Sequence, residues 1–289
     1  MRNLGLFGLA LVTGAVAQAC NGFTQLCNRR YSDITFAASH NAAFVGRTPS
    51  HNQFQYPENG MDMGIRYFTT QVHEWNGEIR QCHSSCLLLN VGTFSEIVVS
   101  IKRWLDAHPR EVVTLLITNG ADNIPVTEFA PVFEAAGAAN MVFRPSGPLG
   151  LGNWPTLGQL IDSGQRFVVF MDYNADTNRV PYILPQFDHY VETPFSPTSR
   201  NFFNCDVDRP VSGGSASNRM IWANHNLNVD IFGVVIPAQS QAAQTNSVNN
   251  IRQQTEICVA RHGRNPHVVM LDFVSEGQVI EAQRILNGL

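Results

Sequence analysis

Uninterrupted apolar segments alternate with amphipathic segments along most of this chain, and this alternation limits the folds open to it. A loop around Pro57 separates the first two apolar segments, and segments with helical periodicity lie between most of the later ones. Parallel strands that helices bury on both faces have this pattern. The apolar segments are DITFAA (33–38), GIRYFTTQVH (64–73), EVVTLLIT (111–118), RFVVFMD (166–172), RMIWAN (219–224) and HVVMLDF (267–273).

The clearest helix is predicted between the second and third of these strands. Thr93 and Glu96 have the spacing of a capping box, apolar residues then recur on one face, and Pro109 should end the helix. A doubly wound sheet and a (β/α)8 barrel both satisfy such a series. Because no G-x-G-x-x-G follows the first strand and several strands end on polar residues, we expect an α/β fold of the (β/α)8 TIM-barrel type, regular or slightly irregular.

The first residues are expected to be a secretory signal peptide, residues 1–19. Arg2 precedes a short apolar core, and AVAQA then ends in small residues at Ala19. The apolar core is too short for a membrane span. We therefore expect a secreted, extracellular protein with one barrel domain at 20–289.

Six cysteines are present, an even number that in an exported chain predicts three disulfides. Since loop closure favours near neighbours, we expect Cys20–Cys27, Cys82–Cys86 and Cys205–Cys258. A zinc site is the less favoured interpretation, because the spacings are not C-x-x-C.

The formal net charge is −4 and no run of basic residues occurs, so a nucleic-acid partner is not expected. Lys102 is the only lysine and lies within a helical pattern. Schiff-base chemistry is therefore disfavoured.

Two of the nine histidines follow strand-like segments in contexts that would hold them in place. His40 ends the first strand in FAASHNAAF, and His83 lies inside the ring that Cys82 and Cys86 would close. Two imidazoles can divide the work of general base and general acid. Asp272 ends the last strand, which lies beside the first in a closed barrel, and it could orient His40. The alternative is that Asp272 caps the final helix or pairs with an arginine.

Strand alternation places Tyr67, Thr69, Gln71 and His73 on one face of the second strand. Thr69 and Gln71 could donate hydrogen bonds to an anionic oxygen beside the histidines, or they could satisfy each other within the barrel core. Barrel chemistry lies at the C-terminal ends of strands. The polar residues at or just past such ends are His40, Asn119, Asp172, Asn224, His225 and Asp272.

Taken together, these motifs resemble the catalytic X-type domain of phosphatidylinositol-specific phospholipases C. They resemble more closely a fungal group of secreted, cysteine-bearing phospholipase C-like phosphodiesterases, and the likeness covers nearly all of the chain after the leader. It is carried by CNGFTQLCNRRYSDITFAASHNAAF, GIRYFTTQVHE, QCHSSC, WLDAHPREVVTLLITN, RFVVFMD, NFFNCDVDRP, WANHNLN and VVMLDF.

The resemblance implies a barrel in which His40 is the general base, His83 the general acid and Asp272 the support of the base. In the phosphatidylinositol enzymes the base takes a proton from the inositol 2-hydroxyl, which attacks phosphorus. The acid protonates the departing diacylglycerol oxygen, which leaves a cyclic diester. Holding the nucleophile within the substrate supplies much of the rate.

The resemblance also bears on metals. Eukaryotic members bind calcium, and Asn41 matches their ligand asparagine. Thr69, Gln71 and Asn119, however, stand where those members have carboxylates. Because these side chains carry no charge, they should bind calcium poorly. Gln71 also replaces the arginine of the calcium-free bacterial members. We therefore expect no metal and no cofactor, with Asn41, Thr69, Gln71 and Asn119 binding the phosphate.

The leading hypothesis is a secreted, metal-independent phosphodiesterase that acts on a phospholipid or related small diester, with peripheral membrane contact compatible with such a substrate. One alternative is a phospholipase D-like enzyme whose divalent ion is held by some of Asn41, Glu74, Asp172 and Asp272. The other alternative is a protein that binds lipid headgroups on the same barrel without cleaving them.

Overall fold

A computed structural model describes residues 18–202 and 204–289. The expected signal peptide, residues 1–19, therefore lies outside the described residues except for its last two positions. Within the described ranges, no helix has the length and apolar character that a bilayer crossing requires.

The strands form one large curled sheet and one separate hairpin. Numbered along the chain, the strands are β1 (Phe36–Ser39), β2 (Tyr67–Trp75), β3 (Glu78–Cys82), β4 (Asn90–Thr93), β5 (Val113–Thr118), β6 (Phe167–Met171), β7 (Ile183–Pro185), β8 (Tyr190–Glu192), β9 (Met220–Asn224), β10 (Asn228–Ile231), β11 (Val234–Pro237) and β12 (Val268–Leu271). The α-helices are α1 (Pro57–Met63), α2 (Phe94–Ala107), α3 (Ala130–Ala135), α4 (Leu157–Asp162), α5 (Gln186–His189), α6 (Ala242–Thr245), α7 (Val248–His262) and α8 (Val279–Leu286).

Eight strands run parallel in the order β7-β6-β5-β2-β1-β12-β9-β8. Strand β1 lies between β2 and β12, as a barrel that brings its first and last strands together requires. Among the described residues β7 and β8 do not pair with each other, so the barrel is open on that side. The predicted barrel class is confirmed, and its irregularity is this open seam.

Strand alternation separates an inner and an outer core. Tyr67 points into the barrel, where its ring meets Trp222 edge-on at 5.3 Å, while Phe68 belongs to the layer between sheet and helices. Helix α2 contributes its apolar face to that outer layer, with Thr93 and Glu96 in the predicted capping box at its start. Burial of each such side chain stabilises the fold by roughly 1.5–3 kcal/mol.

The structure forms all three predicted disulfides, Cys20–Cys27, Cys82–Cys86 and Cys205–Cys258. The first lies before β1, and the third ties the loop after β8 to α7. The second lies directly after β3, a short strand that extends β2 beyond the barrel as an antiparallel pair. It therefore constrains one loop at the C-terminal end of the barrel.

Candidate active site

His40 directly follows β1 and leaves the barrel beside the last strand. Its backbone N–H donates to the carbonyl of Leu271 at 2.9 Å, which continues the pairing of β1 with β12 for one residue. The next residue, Asn41, has a φ of 47°, a left-handed conformation that asparagine tolerates better than most residues. The Asn41 N–H donates to Oγ1 of Thr69 at 2.8 Å. This turn directs the His40 ring toward the barrel mouth.

Asp272 orients the His40 ring. Nδ1 of His40 lies 2.8 Å from Oδ1 of Asp272, and Nδ2 of Asn52 donates to the same oxygen at 2.9 Å. The carboxylate is buried, while the imidazole is partly exposed. Because an ionised carboxylate can only accept, Nδ1 carries the proton and Nε2 of the neutral ring keeps its lone pair. His40 is therefore arranged as a base whose protonated form Asp272 would stabilise.

His83 lies one residue beyond β3, inside the ring that Cys82 and Cys86 close. Its N–H donates to the carbonyl of Leu89 at 3.0 Å. Ser84 follows with a φ of 61° and donates its N–H to Oε1 of Gln71 at 2.8 Å. The His83 ring packs against Phe44, with 5.3 Å between ring centroids. Three separate contacts thus hold the second histidine beside the loop that follows His40.

The two imidazoles have opposite electrostatic surroundings. The pKa of His83 is lowered to about 4, chiefly by burial; His40 also lowers it, and Asp272 acts in the opposite direction. Nδ1 of His83 is buried with no hydrogen-bond partner among the described residues. A largely buried histidine without a carboxylate partner releases its proton more readily than an exposed one. Phe44, whose ring packs against His83, donates its N–H to the carbonyl of Asn41 at 2.9 Å, so the two histidines lie on loops that are in contact.

Thr69 and Gln71 accept hydrogen bonds that hold the loops next to the two histidines in place. Thr69 is buried, and its hydroxyl oxygen accepts the Asn41 N–H, so it fixes the turn after His40. Gln71 accepts from Ser84 through Oε1, which fixes the orientation of its amide. Within the described ranges, the Gln71 NH2 group has no protein partner. That group is therefore a side-chain donor on β2 that is free to bind an anion.

Asn119 is one of the four predicted phosphate ligands, but its side-chain amide is not free to bind a phosphate. Its side chain has 0% exposure, and its NH2 group donates to the carbonyls of Ile124 at 2.9 Å and Tyr173 at 3.1 Å. Its Oδ1 accepts the Ile124 N–H at 3.1 Å. Asn41 is also buried and donates to Oδ1 of Asn52 at 3.3 Å. Asn119 therefore holds the loop after β5 together and has no free group for a phosphate.

Three charged residues around the mouth were missed or misread at the sequence level. Asp172 accepts the N–H groups of Asn119 and Tyr173 at 2.7 and 2.8 Å, and burial raises its pKa to about 6. Glu192 ends β8, is buried and forms an ion pair with Arg209. Glu192 ends a strand of three residues, too short to be recognised in the sequence, and Arg209 lies in a loop with no periodic pattern to single it out.

Calcium does not fit the residues that the resemblance suggests for it. Thr69 and Gln71 use their oxygens to accept backbone N–H groups, and Asn119 is enclosed. In the described part of the chain, no three His, Cys, Asp or Glu side chains converge as a metal site would need. In the alternative ligand set, the Oδ1 atoms of Asp172 and Asp272 both accept protein hydrogen bonds. The donor set is therefore poorly suited to a hard divalent cation.

The fold and the histidine pair define, at the level of family, a phospholipase C-like phosphodiesterase. The family model PI-PLC X 1 matches residues 26–287, so the chain belongs to the PI-PLC X family, and the resemblance seen in the sequence is confirmed. The chain is 45% identical over 275 residues to PI-PLC X domain-containing protein 1 of Arthroderma benhamiae, a match that covers 93% of this chain and 90% of that protein.

A second relative from the same fungus is named an uncharacterized secreted protein. The two chains are 39% identical over 272 residues, which covers 90% of this chain and 61% of that protein. Among solved structures, the phosphatidylinositol-specific phospholipase C of Listeria monocytogenes superposes with a TM-score of 0.63 at 14% identity, over 90% of this chain and 95% of that one. The Staphylococcus aureus enzyme gives 0.62 at 12% identity, over 89% and 93%. These structures share the fold.

Proposed function

We propose that this protein is a secreted phosphodiesterase that cleaves a phospholipid or a related diester without a metal ion. The observation that supports it most is the unequal pair of histidines. His40 has a buried carboxylate at Nδ1, which favours accepting a proton, and His83 has none, which favours giving one up. Because the lowered pKa leaves His83 neutral in the free protein, this proposal requires the negative charge of the bound phosphate to favour the protonated ring, which then has a proton to donate.

The proposed reaction starts with Nε2 of His40 removing the proton from a hydroxyl group next to the scissile phosphate. That oxygen bonds to phosphorus, the bond from phosphorus to the diacylglycerol oxygen breaks, and His83 donates its proton to the departing oxygen. The product is a cyclic diester, which water can open with the two histidines in exchanged roles. Because the nucleophile belongs to the substrate, proximity supplies much of the acceleration.

The free Gln71 NH2 group is our candidate for the phosphate oxygens. A neutral donor stabilises developing charge, although less than a charged donor would. Asn41 and Thr69 act in this proposal chiefly by shaping the turn that carries His40, since their hydrogen bonds are made within the protein.

Export is part of the proposal. It is supported by the three disulfides, which persist in oxidising surroundings, and by the relative named as a secreted protein. The leader pattern at residues 1–19 agrees with it.

The test is to incubate the purified protein with a mixed lipid extract, with and without a chelator, and to identify phosphorus-containing products by NMR. We expect a product whose formation the chelator leaves unchanged. His40→Ala and His83→Ala should each lower turnover by about two to four decades. His108→Ala is the matched control, because His108 lies at the end of α2, directly before β5 and at the opposite end of the barrel.

Other results would contradict the proposal in distinguishable ways. Loss of activity with chelator would favour the divalent-ion enzyme. Lipid binding with no phosphorus product would favour a headgroup-binding protein. Full turnover in a well-folded His83→Ala variant would reject the assigned acid.

A further inference from the structure

A residue with a left-handed backbone directly follows each of the three side chains assigned to the reaction. Asn41, Ser84 and Phe273 have φ values of 47°, 61° and 49°. Asparagine adopts this conformation more readily than most residues, whereas a bulky side chain there is strained. Strained residues persist only where their surroundings enforce them, and they cluster at functional sites. Phe273, which follows Asp272, is therefore the position that needs an explanation.

Phe273 changes the face on which the chain continues past β12. Val268 and Met270 belong to the inner core, and strand alternation gives Asp272 the same inward direction. Two more residues of regular strand would place Val274 on that face as well, directly over the carboxylate. Val274 lies instead in the outer core, with 6% exposure. The left-handed residue thus leaves Asp272 as the last inward side chain of this strand.

The neighbouring strand β1 ends in the same way. Ala38 belongs to the inner core, and strand alternation gives His40 the same inward direction. Ala42 lies in the outer core, and the left-handed residue between His40 and Ala42 is Asn41. Two paired strands therefore both change face one residue past a proposed catalytic side chain.

Hydrogen bonds hold the backbone on both sides of Phe273. Its N–H donates to the carbonyl of Asn52 at 2.8 Å, and its carbonyl accepts from Nδ2 of Asn246 at 3.0 Å and from the N–H of Glu276 at 2.8 Å. Nδ2 of Asn246 also donates to the carbonyl of Asp272 at 2.9 Å. The Asn52 side chain in turn donates to the Asp272 carboxylate. The same two asparagines therefore hold the left-handed turn and the catalytic residue together.

The Phe273 side chain anchors this turn in the protein. It has 1% exposure, and its ring centroid lies 4.5 Å from that of Phe54. The adjacent Gln53 accepts the Val274 N–H at 3.0 Å and donates to the His40 carbonyl at 2.8 Å. Burial of the ring offsets the strain of the backbone. A phenylalanine at this position therefore fixes one backbone conformation, which a glycine would leave free to vary.

We propose that Phe273 is a positioning residue for the reaction. Its left-handed backbone ends the inward face of β12 at Asp272 and so aligns the carboxylate with Nδ1 of His40. The effect on turnover rests on the proposed function, whereas the hydrogen bond between His40 and Asp272 can be observed in the free protein. The property that matters is the backbone conformation of residue 273 and not the volume of its side chain.

The test uses two pairs of variants that separate these two properties. Leucine and isoleucine have the same volume, but the β-branched isoleucine resists the left-handed conformation more strongly. Glycine and alanine both remove the ring, and of the two it is glycine that adopts a positive φ without strain. We expect Phe273→Leu and Phe273→Gly to keep the alignment, and Phe273→Ile and Phe273→Ala to lose it.

Two measurements read out the alignment. The first is the nitrogen-15 NMR spectrum of the neutral His40 ring, assigned with His40→Ala, which shows the nitrogen that carries the proton. The proton should stay on Nδ1 in the leucine and glycine variants and move to Nε2 in the other two. The second is kcat, which should be about tenfold or more lower in Phe273→Ile than in Phe273→Leu, because a displacement of about 1 Å is enough for such a loss. Phe273→Ala should differ from Phe273→Gly in the same direction.

Phe202 supplies the matched control. It is a second buried phenylalanine with a positive φ, 42°, and its ring stacks on His225, a residue that the proposed reaction does not use. Phe202→Ile should be less stable than Phe202→Leu in urea denaturation, for the same backbone reason. Both variants should keep the wild-type His40 tautomer and stay within about twofold of its kcat.

The proposal is overturned if the tautomer and kcat follow side-chain volume, with leucine and isoleucine equal and both better than glycine and alanine. It is also overturned if all four variants at residue 273 keep the wild-type tautomer and kcat. Should Phe273→Ile fail to fold, the comparison of glycine with alanine decides between the same outcomes. A wild-type protein without phosphodiesterase activity would reject the proposed function, and the tautomer would still decide whether Phe273 positions Asp272.

Discussion

His40 and Asp272 lie 232 residues apart in the chain, yet one hydrogen bond joins Nδ1 of the first to Oδ1 of the second at 2.8 Å. The parallel pairing of β1 with β12 brings them together, because both residues directly follow those strands. Asn52 donates to the same carboxylate oxygen from a third segment. The other oxygen of Asp272, Oδ2, is buried and has no hydrogen-bond partner among the described residues. The carboxylate is thus directed at one imidazole.

Replacing Asp272 with asparagine tests this relationship. We expect Asp272→Asn to lower kcat by about two to four decades, because the amide no longer stabilises protonated His40 and permits the wrong tautomer. The control is Asp122→Asn, since Asp122 pairs with His73 at 3.3 Å in a second histidine–aspartate contact that the proposed reaction does not use. Steady-state kinetics on both variants, with melting curves to verify folding, provide the measurement. Equal losses in the two variants would contradict the assignment.

The proton affinity of His83 can be measured directly. Its pKa is lowered to about 4, chiefly by burial, so the free protein should hold this ring neutral down to acidic pH. Sulfate bound beside the ring should raise the pKa by about one unit or more, because a nearby anion favours the charged form. Histidine C2–H resonances, assigned with His83→Ala and followed against pH with and without sulfate, measure both values. A value near 6.5 that sulfate does not shift would refute the described surroundings.

The small disulfide ring has an expected role in positioning. Removing it with C82S/C86S should lower kcat about ten- to a hundredfold, because a displacement of about 1 Å in His83 is enough for such a loss. The fold should be little affected, since a ring of this size constrains few residues of the unfolded chain.

The disulfide Cys205–Cys258 supplies the contrast for the ring variant. It closes a separation of 53 residues, and C205S/C258S should lower the free energy of unfolding by about 2–5 kcal/mol. Its kcat per folded molecule should stay within about twofold of wild type. If C82S/C86S instead loses stability and keeps its kcat, the positioning role is wrong.

The features that were predictable from the sequence depend on local signals. Helix α2 has its capping box at Thr93 and its apolar face within one segment of the sequence. The start and end of this helix could therefore be predicted closely. The three cysteine pairs followed from near-neighbour loop closure. His40 and Asp272 could be placed together because each ends a strongly apolar strand, and the barrel then brings the first and last strands side by side.

Other features depend on contacts that no local pattern carries. Strands β7 and β8 have three residues each, too few to show a period, and they were missed. Asn119 ends a strand as a catalytic residue would, but its amide closes a loop through Ile124 and Tyr173, contacts visible only in three dimensions. Arg209 reaches Glu192 from a long irregular loop, so its charge could not be assigned to the mouth from the sequence.

The last prediction concerns stability against pH and uses His267, which is buried in the barrel interior between Tyr31 and Phe36, with ring centroids 4.8 and 5.2 Å away. Burial lowers the pKa of His267 to about 3. Below about pH 6.5, His267 is therefore protonated in the unfolded chain but stays neutral in the folded protein. This difference in proton binding destabilises the fold as the pH falls below about 6.5. His267→Phe removes that effect. Relative to wild type, the variant should gain about 2 kcal/mol in free energy of unfolding between pH 7 and pH 5, measured by urea denaturation at each pH. A difference that stays constant with pH would show that His267 does not titrate between the folded and unfolded states as described.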